Sequence, residues 1–179
     1  ACLRSLTQQQ TDVPFEILII DTNSTDATRS IAKLYKARLI TESRPGRNIA
    51  HQSGVKKAKG ELLLFTEADC ILPPHWIDTF VHAFQKNPRV AACVGRYYFH
   101  HSTMLLTVAS FILQPLFDTL FRLIHGHFSF RASNVAIRKS ALLTAGGFNP
   151  KAREFDDVEL SMRIAKIGII TYLPSLIIK

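Results

Sequence analysis

The chain is short of cysteine. Cys2, Cys70 and Cys93 make an odd count of 3, and no two of them stand as a CxxC pair. That excludes a disulfide framework and favours a reducing compartment. Acids are the minority charge, 14 against 22 basic residues, leaving a formal net charge of +8. Such a balance suits anionic partners: nucleotide phosphates, acidic lipids or nucleic acid. The densest basic group, Lys56, Lys57 and Lys59, has no aromatic residues interleaved, so nucleic acid is not an expected partner. No glycine-rich phosphate loop is present either. Gly146-Gly147 lacks the strand before it that a P-loop or dinucleotide fingerprint requires. The opening "ACLRSLTQQQ" has no apolar core of the kind a secretory leader carries. The expected location is therefore the cytoplasm, with the cytoplasmic membrane face as its variant. The chain starts without Met and stops on the apolar "YLPSLIIK", and reads as one domain cut at both ends from something longer.

What is there is enough for one globular core: 179 residues, 47% hydrophobic and 20% charged. An apolar run at 15–20 reads as a buried strand that stops at "DTNSTDAT". Thr25 or Asp26 is placed to cap a helix over 27–36. A short strand is expected at 38–41, a loop at "SRPGRN", and a helix over 48–59 ended by Gly60. Residues 62–66 read as a strand, Pro73-Pro74 opens a helix reaching Lys86, and 90–98 is strand-like. Alternating buried strands and helices imply an α/β fold with a mixed, mostly parallel sheet flanked by helices.

Residues 103–125 differ from the rest. Thr107, Ser110, Gln114, Asp118, Arg122 and His125 recur every three or four positions, with almost everything between them apolar. That is a helix with one narrow polar stripe, on which Asp118 and Arg122 are spaced as an i,i+4 ion pair. A membrane span is not expected, because that pair and Pro115 fall inside it. Its wide apolar face calls for the protein core, further chain, or a membrane surface.

The acids carry the chemistry. "ELLLFTEADC" sets four apolar residues directly before Glu67 and Asp69. Carboxylates so close to a core need a partner, and oxygen pairs at strand ends suit hard divalent cations. In a parallel sheet, ligands sit beyond the carboxyl ends of the strands. Asp21 and the Glu67/Asp69 pair both fall there. "REFDDVELSMRIAKIG" begins a helix with Asp156, Asp157 and Glu159. The helix dipole alone would account for acids at that place. A carboxylate poised by like-charged neighbours would also serve as a general base. His100-His101 and the pair His125/His127 lack the companions of a zinc site.

Taken in order, "CLRSLTQQ", "FEILIIDTNSTDAT", "GRNIAHQSGVKKAKGELLLFTEADCILPPHW", "SNVAIRKSALLTAGGFNP" and "FDDVELSMRIAKIG" resemble the successive motifs of a family 2 glycosyltransferase with the GT-A, Rossmann-like fold. The likeness covers nearly the whole chain except 97–130. It lacks the strand with which that family begins. The resemblance implies a single catalytic domain over 1–179. It also implies inverting transfer of a sugar from a nucleotide-diphosphate donor to a hydroxyl of a carbohydrate or lipid-linked acceptor, with Mg²⁺ or Mn²⁺ as cofactor. On it, Asp21 and Thr22 meet the base or ribose, Arg47 approaches the donor, and Glu67 and Asp69 take the DxD places, Asp69 on the metal. Asp157 is the base, with Asp156 beside it, and Asn134 lies on the acceptor side. Glu67 stands where the family usually has Asp. A nucleotidyltransferase-like enzyme and a non-catalytic nucleotide-sugar-binding domain are the competing expectations.

Overall fold

The computed structural model describes residues 1–98, 104–131, 133–152 and 156–179. Along the chain lie α1 (Cys2–Thr7), β1 (Leu18–Asp21), α2 (Thr28–Leu34), β2 (Arg38–Thr41), α3 (Arg47–Lys57), β3 (Leu62–Phe65) and α4 (Trp76–Lys86). They are followed by β4 (Val90–Tyr97), α5 (Met104–His125), β5 (Val135–Arg138), α6 (Lys139–Thr144), α7 (Asp156–Ala165) and β6 (Ile169–Ile178). The expected helices and strands up to residue 125 form, most of them a few residues shorter than read. His100 and His101 lie outside the described residues.

β1 and β2 pair parallel as a two-stranded sheet, and a second sheet has the order β3-β5-β4-β6. β4 and β6 run parallel, whereas β5 is antiparallel to both its neighbours. The α/β architecture is therefore mixed, with a smaller parallel share than the alternation of elements suggested. β5 is the reason, since a strand of only four residues enters between β3 and β4. β6 carries Pro174, which cannot donate to a ladder. The register jumps there, from Leu173 opposite Gly95 to Ile177 opposite Arg96, and the extra residues take up the proline.

The larger sheet is buried on both faces. Along β5, Val135 and Ile137 point into one cluster with Val55 of α3, Leu142 of α6 and Leu160 and Ile164 of α7. Ala136 points the other way, with Cys2 and Leu6 of α1 and Trp76, Phe80 and Phe84 of α4. This is the period-2 alternation of a strand sandwiched between helix layers. Asn134, just ahead of β5, ties the layers together. Its amide donates to the carbonyls of Arg96 (2.7 Å) and Leu176 (3.1 Å), and its oxygen accepts the Trp76 indole N–H at 2.8 Å. A β-carbon at residue 95 would lie 2.2 Å from the Asn134 amide nitrogen, so only glycine fits there.

α5 presents its faces the other way round. Gln114, Asp118 and Phe121 are buried, while Ile112, Leu113, Leu116, Phe117, Leu120, Leu123 and Ile124 are exposed, the last two by about three quarters of their surface (76% and 74%). The Asp118–Arg122 pair read from the spacing does not form. Asp118 turns inward and accepts a hydrogen bond from Arg131, whose guanidinium sits over the Tyr97 ring, 5.9 Å from its centroid. Arg122 instead lies over Phe128, 5.2 Å from the ring centroid. Burial, reinforced by Asp118, pushes the Tyr172 hydroxyl up to about 12. The expectation that the apolar face packs into the core is met only at Phe121 among the described side chains. The outer surface is apolar even at Thr119, whose hydroxyl donates back to the Pro115 carbonyl at 2.8 Å.

Candidate functional site

Three groups of acids stand just past β1, just past β3 and at the head of α7, and α3 packs on the elements that carry them. Near its C-terminal end, Gly54 packs on Ile20, the residue before Asp21; a β-carbon there would be 3.1 Å from the Ile20 side chain. One turn from its start, the His51 ring lies 5.6 Å from Phe65 (centroid to centroid), which closes β3 just before Thr66 and Glu67. At its start, Arg47 reaches both carboxylate oxygens of Asp157 at 3.3 Å. α3 thus touches β1 at Ile20, β3 at Phe65 and the head of α7 at Asp157.

Asp21 is wholly buried in its side chain. Its two oxygens accept from the Ser24 backbone N–H (2.8 Å) and from Arg29 Nε (3.1 Å). Those bonds, the Ser24 ones foremost, hold its pKa below the usual carboxylate value. Thr22 is exposed. Asp26 accepts the Thr28 N–H at 3.0 Å, so the capping role read from the sequence is performed one residue ahead of the helix boundary at Ala27. Beside Asp21, Glu42 is buried and gripped by Arg44 through two 2.9 Å bonds, which carry its pKa down to about 2. Sequence reasoning did not single out Glu42; the E-x-R spacing at the end of β2 was the available signal.

The loop after β3 turns tightly, with the Cys70 N–H donating to the Glu67 carbonyl at 3.2 Å. That turn brings a Glu67 oxygen, an Asp69 oxygen and the Cys70 sulfur within 4.8 Å of one another; no other such group occurs among the described residues. Glu67 and Asp69 are exposed and Cys70 is buried. Two carboxylates on one open turn are a donor set that fits Mg²⁺ or Mn²⁺.

The head of α7 is held by α3 and by its own arginine. Asn48 donates to the carbonyls of Asn149 and Ala152 at 3.0 Å, and Gln52 accepts from the Phe148 N–H at 2.9 Å. Gly147 has φ +74, and a β-carbon on it would meet the Gln52 side-chain oxygen at 2.3 Å. Arg163 grips Glu159 through two 2.7 Å bonds and donates to the Gly147 carbonyl at 2.7 Å. Asp156 accepts the Asp157 N–H at 3.0 Å, the first-turn use of an acid that the helix dipole favours. His51, wedged against Phe148 as well (4.8 Å between centroids), is pushed down to about 4 by burial and then by Arg47. It is a neutral spacer, and its place on α3 was the only signal available for it. Asn134 is fully buried with its amide committed to backbone and Trp76. A hollow of about 220 Å³ between Arg89 and Thr144 is lined by none of these acids.

A layered sheet with acid-bearing loops beyond β1 and β3, and a third acid group at the head of α7, is the GT-A architecture, and solved structures agree. The mannosyltransferase PcManGT from Pyrobaculum calidifontis, in complex with GDP-Man and Mn²⁺, superposes with a TM-score of 0.77 at 21% identity, over 98% of this chain and 50% of that one. Glucosyl-3-phosphoglycerate synthase from Mycobacterium tuberculosis, with Mn²⁺, UDP-Glc and phosphoglyceric acid, gives 0.70 at 18% identity, over 100% of this chain and 66% of that one. The chain belongs to glycosyl transferase family 2, whose profile matches residues 1–144. In sequence it is 33% identical over 98 residues to the uncharacterized glycosyltransferase YibD of Escherichia coli strain K12, covering 51% of this chain and 28% of YibD. The chain thus spans about a quarter of that relative's length and half of the mannosyltransferase's.

Proposed function

We propose that this chain is the donor-binding and catalytic portion of an inverting, metal-dependent glycosyltransferase that takes a nucleotide-diphosphate sugar. What supports the reading is membership of the family, with the paired carboxylates of the Glu67/Asp69 turn after β3 as the observation that carries it. Asp69, with Glu67, would hold Mg²⁺ or Mn²⁺; a bound cation there would offset the charge of the leaving diphosphate. The exposed Thr22 forms the rim for base and ribose, on a turn that the buried Asp21 holds through Ser24 and Arg29. Arg47 is half exposed (46% in its side chain) and its pair with Asp157 is long, at 3.3 Å. It is therefore free to turn to the donor's phosphates, a role that suits a fixed guanidinium charge. Asp157 then takes the proton of the acceptor hydroxyl as its oxygen bonds to the anomeric carbon. The bond from that carbon to the diphosphate breaks on the opposite side, which inverts the centre. Asn134, its amide committed to two backbone carbonyls and the Trp76 indole, acts on the acceptor side by fixing β4, β5 and β6 beneath it.

The outward apolar face of α5 and the net charge of +8 support a membrane-linked acceptor at the cytoplasmic face. No described helix is long and apolar enough to cross a membrane. Binding to anionic but not to zwitterionic vesicles at moderate salt is expected, and equal indifference to both would remove this part of the reading.

Nucleoside diphosphates and their sugars, screened with Mn²⁺ on the full-length protein, test the central claim. Asp69→Ala should abolish metal-dependent donor binding. Asp157→Asn should keep binding and lower turnover by about 10²–10⁴-fold. An Asp69→Ala protein that still bound donor and Mn²⁺ like the parent would overturn the site. Donor binding with no transfer or donor hydrolysis by the unaltered protein would favour the non-catalytic alternative.

A further inference from the structure

We propose that the hollow at the far edge of the larger sheet is a second ligand site, for a small phosphate-bearing anion, separate from the donor residues. It lies where β5 ends and where β4 and β6 begin. Arg138 pairs with Leu62 at the start of β3, and Val90 pairs with Ile169 at the start of β6. The Glu67/Asp69 turn follows the other end of β3, about 10 Å away along the strand. The hollow has a volume of about 220 Å³, and its walls include Arg89, Arg138, Ser140, Thr144, Ile167 and Gly168. No carboxylate lines it.

Two guanidinium groups share this space with no acid beside them. Arg138 is held in place: its Nε donates to the Val90 carbonyl at 2.8 Å and its Nη2 to the Phe84 carbonyl at 3.1 Å. The group lies over the Phe84 ring, 5.0 Å from the centroid. Its Nη1 has no partner among the described residues. Arg89 is exposed, and its guanidinium makes no hydrogen bond or ion pair among them either. The same holds for the hydroxyls of Ser140 and Thr144, which stand one turn apart on α6. Carbonyls orient a guanidinium without cancelling its charge, so two cations at one hollow repel each other until an anion enters. A guanidinium fork matches phosphate oxygens in pairs, and the hydroxyls can donate to the oxygens that remain. Size narrows the class. At about 30 Å³ per water the hollow holds about seven waters, room for a phosphate and a short ester chain lying against Ile167. Pockets for larger ligands run to roughly 300–1,000 Å³, so a second nucleotide sugar does not fit. Free phosphate, a small phosphomonoester and the phosphomonoester headgroup of a lipid all present this chemistry.

The test is calorimetric titration of inorganic phosphate into the full-length protein without divalent metal, at constant ionic strength in chloride. The parent should show one saturable site per chain. Arg89→Ala, an exposed change, should weaken binding by about tenfold or more. Ser140→Glu should abolish it by setting a carboxylate in the hollow. Arg47→Gln should bind phosphate as the parent does, which separates this site from any phosphate taken up beside Asp157. Vesicles carrying phosphatidic acid, compared with vesicles of equal charge carrying phosphatidylglycerol, separate the sources. A preference for phosphatidic acid that Arg89→Ala removes assigns the site to a lipid headgroup, and phosphate binding without that preference assigns it to a soluble anion. Phosphate binding that survives unchanged in both Arg89→Ala and Ser140→Glu, or that is lost only in Arg47→Gln, overturns the proposal, as does a parent with no saturable site. None of these outcomes bears on the metal turn or the transfer reaction. Circular dichroism on each variant establishes that it is folded.

Discussion

Helices α4 and α5 show two opposite ways of using an amphipathic sequence. α4 lays Trp76, Ile77, Phe80 and Phe84 against the sheet and keeps its polar residues outward, as a helix on a water-soluble core does. α5 lays Gln114 and Asp118 inward, pairs Asp118 with Arg131, and turns its leucines and isoleucines outward. The first helix is held by apolar burial. Among the described side chains the second is held by a buried ion pair and by Phe121, and its outer face is left without a covering among the described residues. Charge therefore does the anchoring for α5 that hydrocarbon does for α4, and the exposed hydrocarbon of α5 is available to something else.

Substitutions can break this contrast, and the deepest positions give the largest effects. Phe80→Ala in α4 should cost about 3–5 kcal/mol, read from urea unfolding, because it empties a fully buried ring site. Asp118→Ala should cost a comparable 3–5 kcal/mol or so, since it leaves the Arg131 charge buried and unpaired. The two diverge on repair. Asp118→Leu combined with Arg131→Met should regain most of the loss, as apolar replacement of a buried pair often does, whereas no second change of that kind rescues Phe80→Ala. If the double replacement is as unstable as Asp118→Ala, the ion pair is not what holds α5.

A middle-sized effect comes from acid. His51 has its folded pKa depressed from 6.5 to about 4, so the unfolded chain takes up its proton first as pH falls. The stabilising contribution of neutral His51 is complete above about pH 6.5. It is lost progressively between 6.5 and 4, by on the order of 2–3 kcal/mol. His51→Phe should flatten that part of the stability–pH curve, and an unchanged slope would show that His51 is not buried in the neutral form. The smallest stability effect belongs to the outer face of α5. Leu123→Ser with Ile124→Ser should move stability by no more than about 0.5 kcal/mol while sharply reducing binding to anionic vesicles. A large loss of stability there would mean that protein, not lipid, covers the face.

Much of this arrangement was legible in the sequence, and the limits follow from what local pattern can encode. The apolar block before Glu67, the β2 limits at 38 and 41 and the acid-headed α7 are properties of contiguous residues, and they appear as read. β5 was not visible, because four residues between a loop and a helix carry too little alternation. β6 was hidden by Pro174, whose bulge only the neighbouring strand explains. Asp118 chose Arg131, 13 positions away, over Arg122 at helical spacing, a choice made by the inward orientation of the stripe and not by sequence distance. Likewise the packing of α3 on β3 and on the head of α7 depends on His51 meeting Phe65 and Arg47 meeting Asp157, contacts no spacing rule predicts.

Gly95 sets a condition on how this protein can change over time. The space its missing β-carbon leaves is filled by the Asn134 amide, which is in turn bonded to Trp76 and to the bulged turn of β6. An alanine at 95 would evict that amide and strand the indole N–H of Trp76. Viable descendants must therefore alter positions 76, 95 and 134 together, or leave all three alone, so the three should drift as a linked set even though they come from three separate stretches of chain.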